Sequence, residues 1–119
     1  MAILGAESEW AAAASECAGE QGKFWAYHDL LFVSQSDANR ASFAKANLKQ
    51  FAVQLGLNAP KFNACVDSDQ YLAKVRAETA AAQKLGFTGT PSFTINGQQI
   101  VGAQPYEQFE RTINVFLKK

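Results

Sequence analysis

The chain has 119 residues, 48% of them hydrophobic and including nine Phe and two Trp, which is ample apolar mass for the core of a single domain. Eleven basic and eleven acidic side chains cancel, and no basic run or stripe occurs, so neither nucleic acid nor an anionic membrane surface is expected as a partner. No apolar run approaches the roughly 18 residues of a membrane span, so no membrane insertion is expected. Met1–Glu7 has neither the basic start nor the long apolar core of a signal peptide.

In chain order, Ser8–Ala18 is predicted as a helix, Ala-rich and with Ser8 as N-cap, whose Trp10, Ala13, Ala14 and Cys17 share one side. Gly19 and Gly22 then break the path. A second helix is predicted from Lys23 to Val33, with Phe24, Trp25, Tyr27, His28, Leu31 and Phe32 around nearly its whole circumference. A helix that is apolar all round is expected to be buried or wedged between layers. Ser34–Ser42 is polar and reads as a loop. Leu48, Phe51, Ala52 and Leu55 mark an amphipathic helix stopped by Gly56. Asn58 caps a short helix with Pro60 in its first turn and Phe62 and Cys65 pointing inward. Asp67-Ser68-Asp69 is read as the start of a further helix reaching Leu85, with Leu72, Val75, Thr79 and Ala82 on one face. Gly86 suits a left-handed helix end, Pro91 opens a strand, and Asn96-Gly97 is a type I′ hairpin connection. That turn sets Ile95 opposite Gln98 and Phe93 opposite Ile100. A last helix starts near Pro105 and carries a stripe of Tyr106, Phe109, Ile113, Phe116 and Leu117, with two lysines at its negative end.

Candidate chemistry is sparse. Cys17 and Cys65, the two cysteines, lie 48 positions apart and cannot form a Cys-x-x-Cys pair, and no Cys/His set has zinc spacing. Such a pair is most often two buried apolar thiols. His28, the single histidine, reads as an orienting or capping residue, because no nearby Ser or Cys is placed as its nucleophile. Gly19-Glu20-Gln21-Gly22-Lys23-Phe24 lacks the spacing of a phosphate loop. No cofactor and no metal are expected.

Two blocks carry a resemblance. One is Leu85-Gly86-Phe87-Thr88-Gly89-Thr90-Pro91-Ser92-Phe93-Thr94-Ile95-Asn96-Gly97, followed by Val101-Gly102-Ala103-Gln104-Pro105-Tyr106; the other is Ala14–Phe32, with Cys17, Gly22, Phe24, Trp25 and His28. Together they resemble DsbA-like thiol–disulfide oxidoreductases of thioredoxin fold, over roughly residues 3 to 117. The resemblance implies an α/β, α-rich, truncated thioredoxin-like fold. Residues 1–119 form one domain, with a helical insertion at 7–86 and a cis-proline loop, hairpin and C-terminal helix at 87–119. It implies a cis bond at Thr90–Pro91 and a role for both residues in holding a substrate segment, the partners being protein or peptide thiols and disulfides.

The family's strand, Cys-x-x-Cys helix and second strand have no counterpart here, so no catalytic residue carries over and the chain is expected to be inactive as it stands. The rival reading is a non-catalytic binding or assembly module using the proline loop and the strand edge at 92–96, with self-association through that edge. A glutathione-dependent isomerase relative of the same fold finds no support in these residues. The resemblance also implies a structural disulfide between Cys17 and Cys65, whereas two reduced thiols are expected in a cytosolic setting. The compartment it implies is periplasmic or otherwise extracytoplasmic; a chain that truly starts at Met1 would stay in the cytoplasm.

Overall fold

A computed structural model describes residues 1–35 and 43–118. Positions 36–42, most of the loop predicted at Ser34–Ser42, and Lys119 lie outside the described residues. The elements are α1 (Ala6–Gly19), α2 (Phe24–Gln35), α3 (Lys45–Gln54), α4 (Ala59–Asp67), α5 (Leu72–Lys84), β1 (Ser92–Ile95), β2 (Gln98–Val101) and α6 (Tyr106–Leu117). They gather into two compact units, Met1–Thr79 and Ala80–Lys119, and the boundary falls inside α5.

The first unit is helical. α1 starts two residues before Ser8: Gly5, at φ 111°, is its N-cap, and no side chain caps it. Ser8 instead sits in the first turn, its N–H donating to the Gly5 carbonyl at 3.1 Å, and Glu7 and Glu9 place negative charge at the positive end of the helix. Ala11, Ala14, Ser15, Cys17 and Ala18 are buried, and α1 touches α2, α3 and α4. Small side chains on this face let three helices come close.

Helix ends here share one geometry. At the end of α1, Lys23 N–H bonds the Ala18 carbonyl and Gly22 N–H bonds that of Gly19, with Gly22 at positive φ. The same pair of bonds recurs after α3 at Gly56 and Leu57, and after α5 at Gly86 and Phe87. After α4 it recurs with Asp69 at φ 52° in the left-handed position. This corrects the reading of Asp67-Ser68-Asp69 as a helix start. Those residues end α4, and α5 begins only at Leu72.

The second correction concerns α2, which also extends through Ser34 to Gln35. Only Tyr27 on it is buried, while Trp25, Phe32 and Val33 are more than 60% exposed. Among the described residues of this unit, α1 and α3 pack on α2. The outer rings pack on each other instead: Trp25 and Phe32 lie 5.2 and 4.8 Å from the His28 ring, which also stacks on Phe24 at 6.3 Å. Asn58 caps α4 as read from the sequence, its side chain accepting from Lys61 N–H. Its backbone is gripped by Gln21, which accepts from Asn58 N–H at 2.8 Å and donates to the Asn58 carbonyl at 3.3 Å.

The core of this unit is centred on Tyr27, Leu48 and Phe62, all fully buried, with the Tyr27 and Phe62 rings 5.5 Å apart. The Tyr27 hydroxyl donates to the Leu48 carbonyl at 2.9 Å. Ion pairs fasten the exterior, Arg76 to Glu9 at 2.6 Å and Lys74 to Glu16 at 3.1 Å, and contribute little each.

In the second unit β1 and β2 form an antiparallel hairpin with Phe93 opposite Ile100 and Ile95 opposite Gln98. Asn96 and Gly97 both have positive φ, as a two-residue I′ connection requires. Ile100 and Phe87 are buried, and α6 lays Phe109 edge-on against Phe93 at 5.0 Å. Most of the stripe on α6 stays open: Tyr106, Ile113, Phe116 and Leu117 are exposed.

Burial pushes the Tyr27 phenol well above its ordinary value near 10. A group whose pKa is raised by folding stabilises the fold below its unfolded pKa, and that contribution is lost as pH climbs past it. Tyr27→Phe is therefore expected to cost about 1 kcal/mol at neutral pH through the lost hydrogen bond. The same change should flatten the decline in stability above about pH 10. Urea unfolding of both proteins at neutral and alkaline pH measures this, and an unchanged alkaline slope would contradict it.

Candidate functional site

The loop from Gly86 to Ser92 is built by the elements on either side of it. Gly86, at φ 90°, ends α5 and turns the chain, and no atom lies within 4 Å of where its Cβ would stand. The left-handed backbone, and not crowding, is what favours glycine there. Phe87 is buried and anchors the loop. Ser92 Oγ donates to the Gly89 carbonyl at 2.7 Å, and the Pro91 carbonyl accepts from Gly102 N–H at 2.9 Å. The chain is thus fixed on both sides of Thr90–Pro91, a bond that is cis, while Thr90 and Pro91 themselves stay exposed.

Register decides which backbone groups remain free. Pro91 and Gly102 form a hydrogen-bonded pair, so Phe93–Ile100 and Ile95–Gln98 are hydrogen-bonded pairs too, and Ser92 and Thr94 alternate with them. Ser92 and Thr94 therefore turn their N–H and C=O groups away from β2. Among the described residues the sheet has only the strands β1 and β2.

Cys17 of α1 and Cys65 of α4 are joined in a disulfide, with Cα atoms 5.9 Å apart and both residues at most 5% exposed. The candidate residues thus fall in two places, Thr90 and Pro91 in one unit and the bonded cysteines in the other. His28 lies among rings, its Nδ1 3.0 Å from Asp29 Oδ1. Among the described residues no group of three or more His, Cys, Asp or Glu is placed to hold a metal ion. Sequence reasoning did not find the supports of the proline loop at Phe87, Ser92 and Gly102, nor the side chains that gather beside Cys65. Gly102 is the one with a local signal, since it follows β2 directly.

The model of the DSBA-like thioredoxin domain family matches residues 2–114. The chain belongs to that family. The solved structure of a thioredoxin-like oxidoreductase from Silicibacter pomeroyi aligns with a TM-score of 0.78 at 28% identity, over 98% of this chain and 65% of that one. The probable disulfide bond formation protein D of Bacillus anthracis is 26% identical over 121 residues, covering 98% of this chain and 55% of its own. The Na(+)/H(+) antiporter NhaA of Herminiimonas arsenicoxydans is 34% identical over 93 residues, 78% of this chain but 14% of the antiporter. An antiporter NhaA 3 of Salinispora tropica is 32% identical over 99 residues, again 14% of its length. The DsbA-like chain thus spans a small part of these antiporters and between half and two thirds of the two redox proteins.

The disulfide closes a loop of 48 residues, which in the chain-entropy account stabilises by about 3–4 kcal/mol. The double replacement Cys17→Ala/Cys65→Ala in this DsbA-like chain is expected to lower unfolding free energy by about that amount. Denaturant titration would show it, and a midpoint equal to that of the oxidised protein would refute it.

Proposed function

We propose that this chain serves thiol–disulfide exchange outside the cytoplasm, holding an extended protein or peptide segment against Thr90 and Pro91 while the exchanging thiols come from other residues than its own two cysteines. Family membership supports the reaction class, and the names of the two redox relatives agree with it. The observation that carries the reading is the proline loop, exposed at Thr90 and Pro91 yet pinned by Phe87, Ser92 and Gly102. A preordered surface of this kind loses little freedom when a segment lies on it.

Residues 1–119 do not turn over dithiols alone in this reading. Exchange needs an accessible thiolate near a resolving partner, and here both cysteines are buried and bonded to each other. Nor is ion transport carried over from the antiporters, of which the match covers 14%. No described helix is long and apolar enough to cross a membrane. An insulin-reduction assay on residues 1–119 is expected to show no turnover above the thiol background. Turnover comparable to an intact family member would overturn this.

A second reading, a binding or assembly module, is favoured by the outward N–H and C=O groups of Ser92 and Thr94 on an uncharged strand. An antiparallel β1 pair across a twofold axis would satisfy them in both copies. Light scattering at micromolar concentration is expected to report a dimer or larger species, reduced to monomer by Thr94→Pro, which removes one outward donor. A monomeric parent chain would count against this reading.

A further inference from the structure

The disulfide is not equally hidden from its two sides. Cys17 is 1% exposed and Cys65 5%, and both belong to the core with Ala14, Ala18, Tyr27 and Phe62. Cys65, and not Cys17, also lines a cleft of about 10 Å³ together with Trp10, Ala13, Ala14, Val66, Lys45 and Asp69, roughly the room one water molecule needs. Lys45 spans the rim, with Nζ 5.8 Å from the centre of the Trp10 ring and 2.8 Å from Asp69 Oδ1. Its side chain is 28% exposed.

We propose that Cys65 is the sulfur at which a small anionic sulfur nucleophile, a thiolate or sulfite, enters this disulfide, and that the Lys45 ammonium draws the anion in. The nucleophile's lone pair forms a bond to Cys65 Sγ and the Cys17–Cys65 bond breaks. The bonding pair leaves on Cys17, which becomes a thiolate. The entering sulfur is oxidised and Cys17 is reduced, so the balance closes with no further reagent. Cys17 is then an ion in an apolar core, where it is poorly solvated, and it lies beside the adduct it has just left. It returns to Cys65, expels the nucleophile and reseals the bond. This makes Cys65 a modification site that fills only while the reagent is in excess.

Sulfite is the probe of choice, because the S-sulfonate stays on the sulfur that was attacked. The oxidised chain is exposed briefly to excess sulfite under native conditions, quenched in acid, alkylated at the freed thiol and mapped by peptide mass spectrometry. The S-sulfonate is expected on Cys65, with the alkyl group on Cys17, in about tenfold excess over the reverse. The preference should vanish in denaturant. Lys45→Met is expected to slow native labelling several-fold, and Asp69→Asn, which leaves the ammonium without its partner, to speed it. Equal labelling of both cysteines in the folded protein, an excess on Cys17, or labelling only at the rate of global unfolding would overturn the site. An unchanged rate in Lys45→Met would overturn the role of the lysine.

Discussion

Close approach along α1 is the constraint on which the helical unit depends. Ala11, Ala14 and Ala18 present almost no side chain, so the backbones of α2, α3 and α4 can come near enough for Tyr27, Leu48 and Phe62 to meet beneath them. Cys17 lies on the same strip, which is why its Cα can stand 5.9 Å from that of Cys65. A larger residue at Ala14 or Ala18, both fully buried, would have to push a neighbouring helix away, and overpacking of this kind is costly. Packing and cross-link thus reinforce one another, since the bond forms where the small residues already bring the helices together.

What the two units leave uncovered is as informative as what they bury. α2 turns Tyr27 inward and keeps Trp25, Phe32 and Val33 outside, and α6 keeps most of its apolar stripe open. On α2 the rings partly shelter one another around His28. The proline loop differs from both. Its exposed residues are small or cyclic, and it is held by hydrogen bonds and one buried ring.

Local signals were legible wherever the determining chemistry lies within a few residues. Asn58 with Pro60, Gly56, Gly86 and Asn96-Gly97 all act where they were read, because a cap or a turn is decided by the backbone it sits on. Asp69 shows the limit. Its left-handed conformation ends α4 with the bonds that glycine supports elsewhere in this chain, and an aspartate just before an apolar run reads equally well as a helix beginning. Ser8 misled in the opposite way: it offers a cap that the helix does not use, and α1 starts from Gly5 without a side-chain cap.

By itself the sequence determined the helical bundle followed by a hairpin and helix, the hairpin register, and the family, since these rest on periodicity, turn chemistry and two contiguous motifs. Tertiary structure alone decided which face of an all-apolar helix is buried, because periodicity cannot choose when every face is apolar. It also decided the unlike surroundings of the two bonded sulfurs. Trp10, Lys45, Cys65 and Asp69 come from three helices and a turn, and only the packing of those helices makes them neighbours.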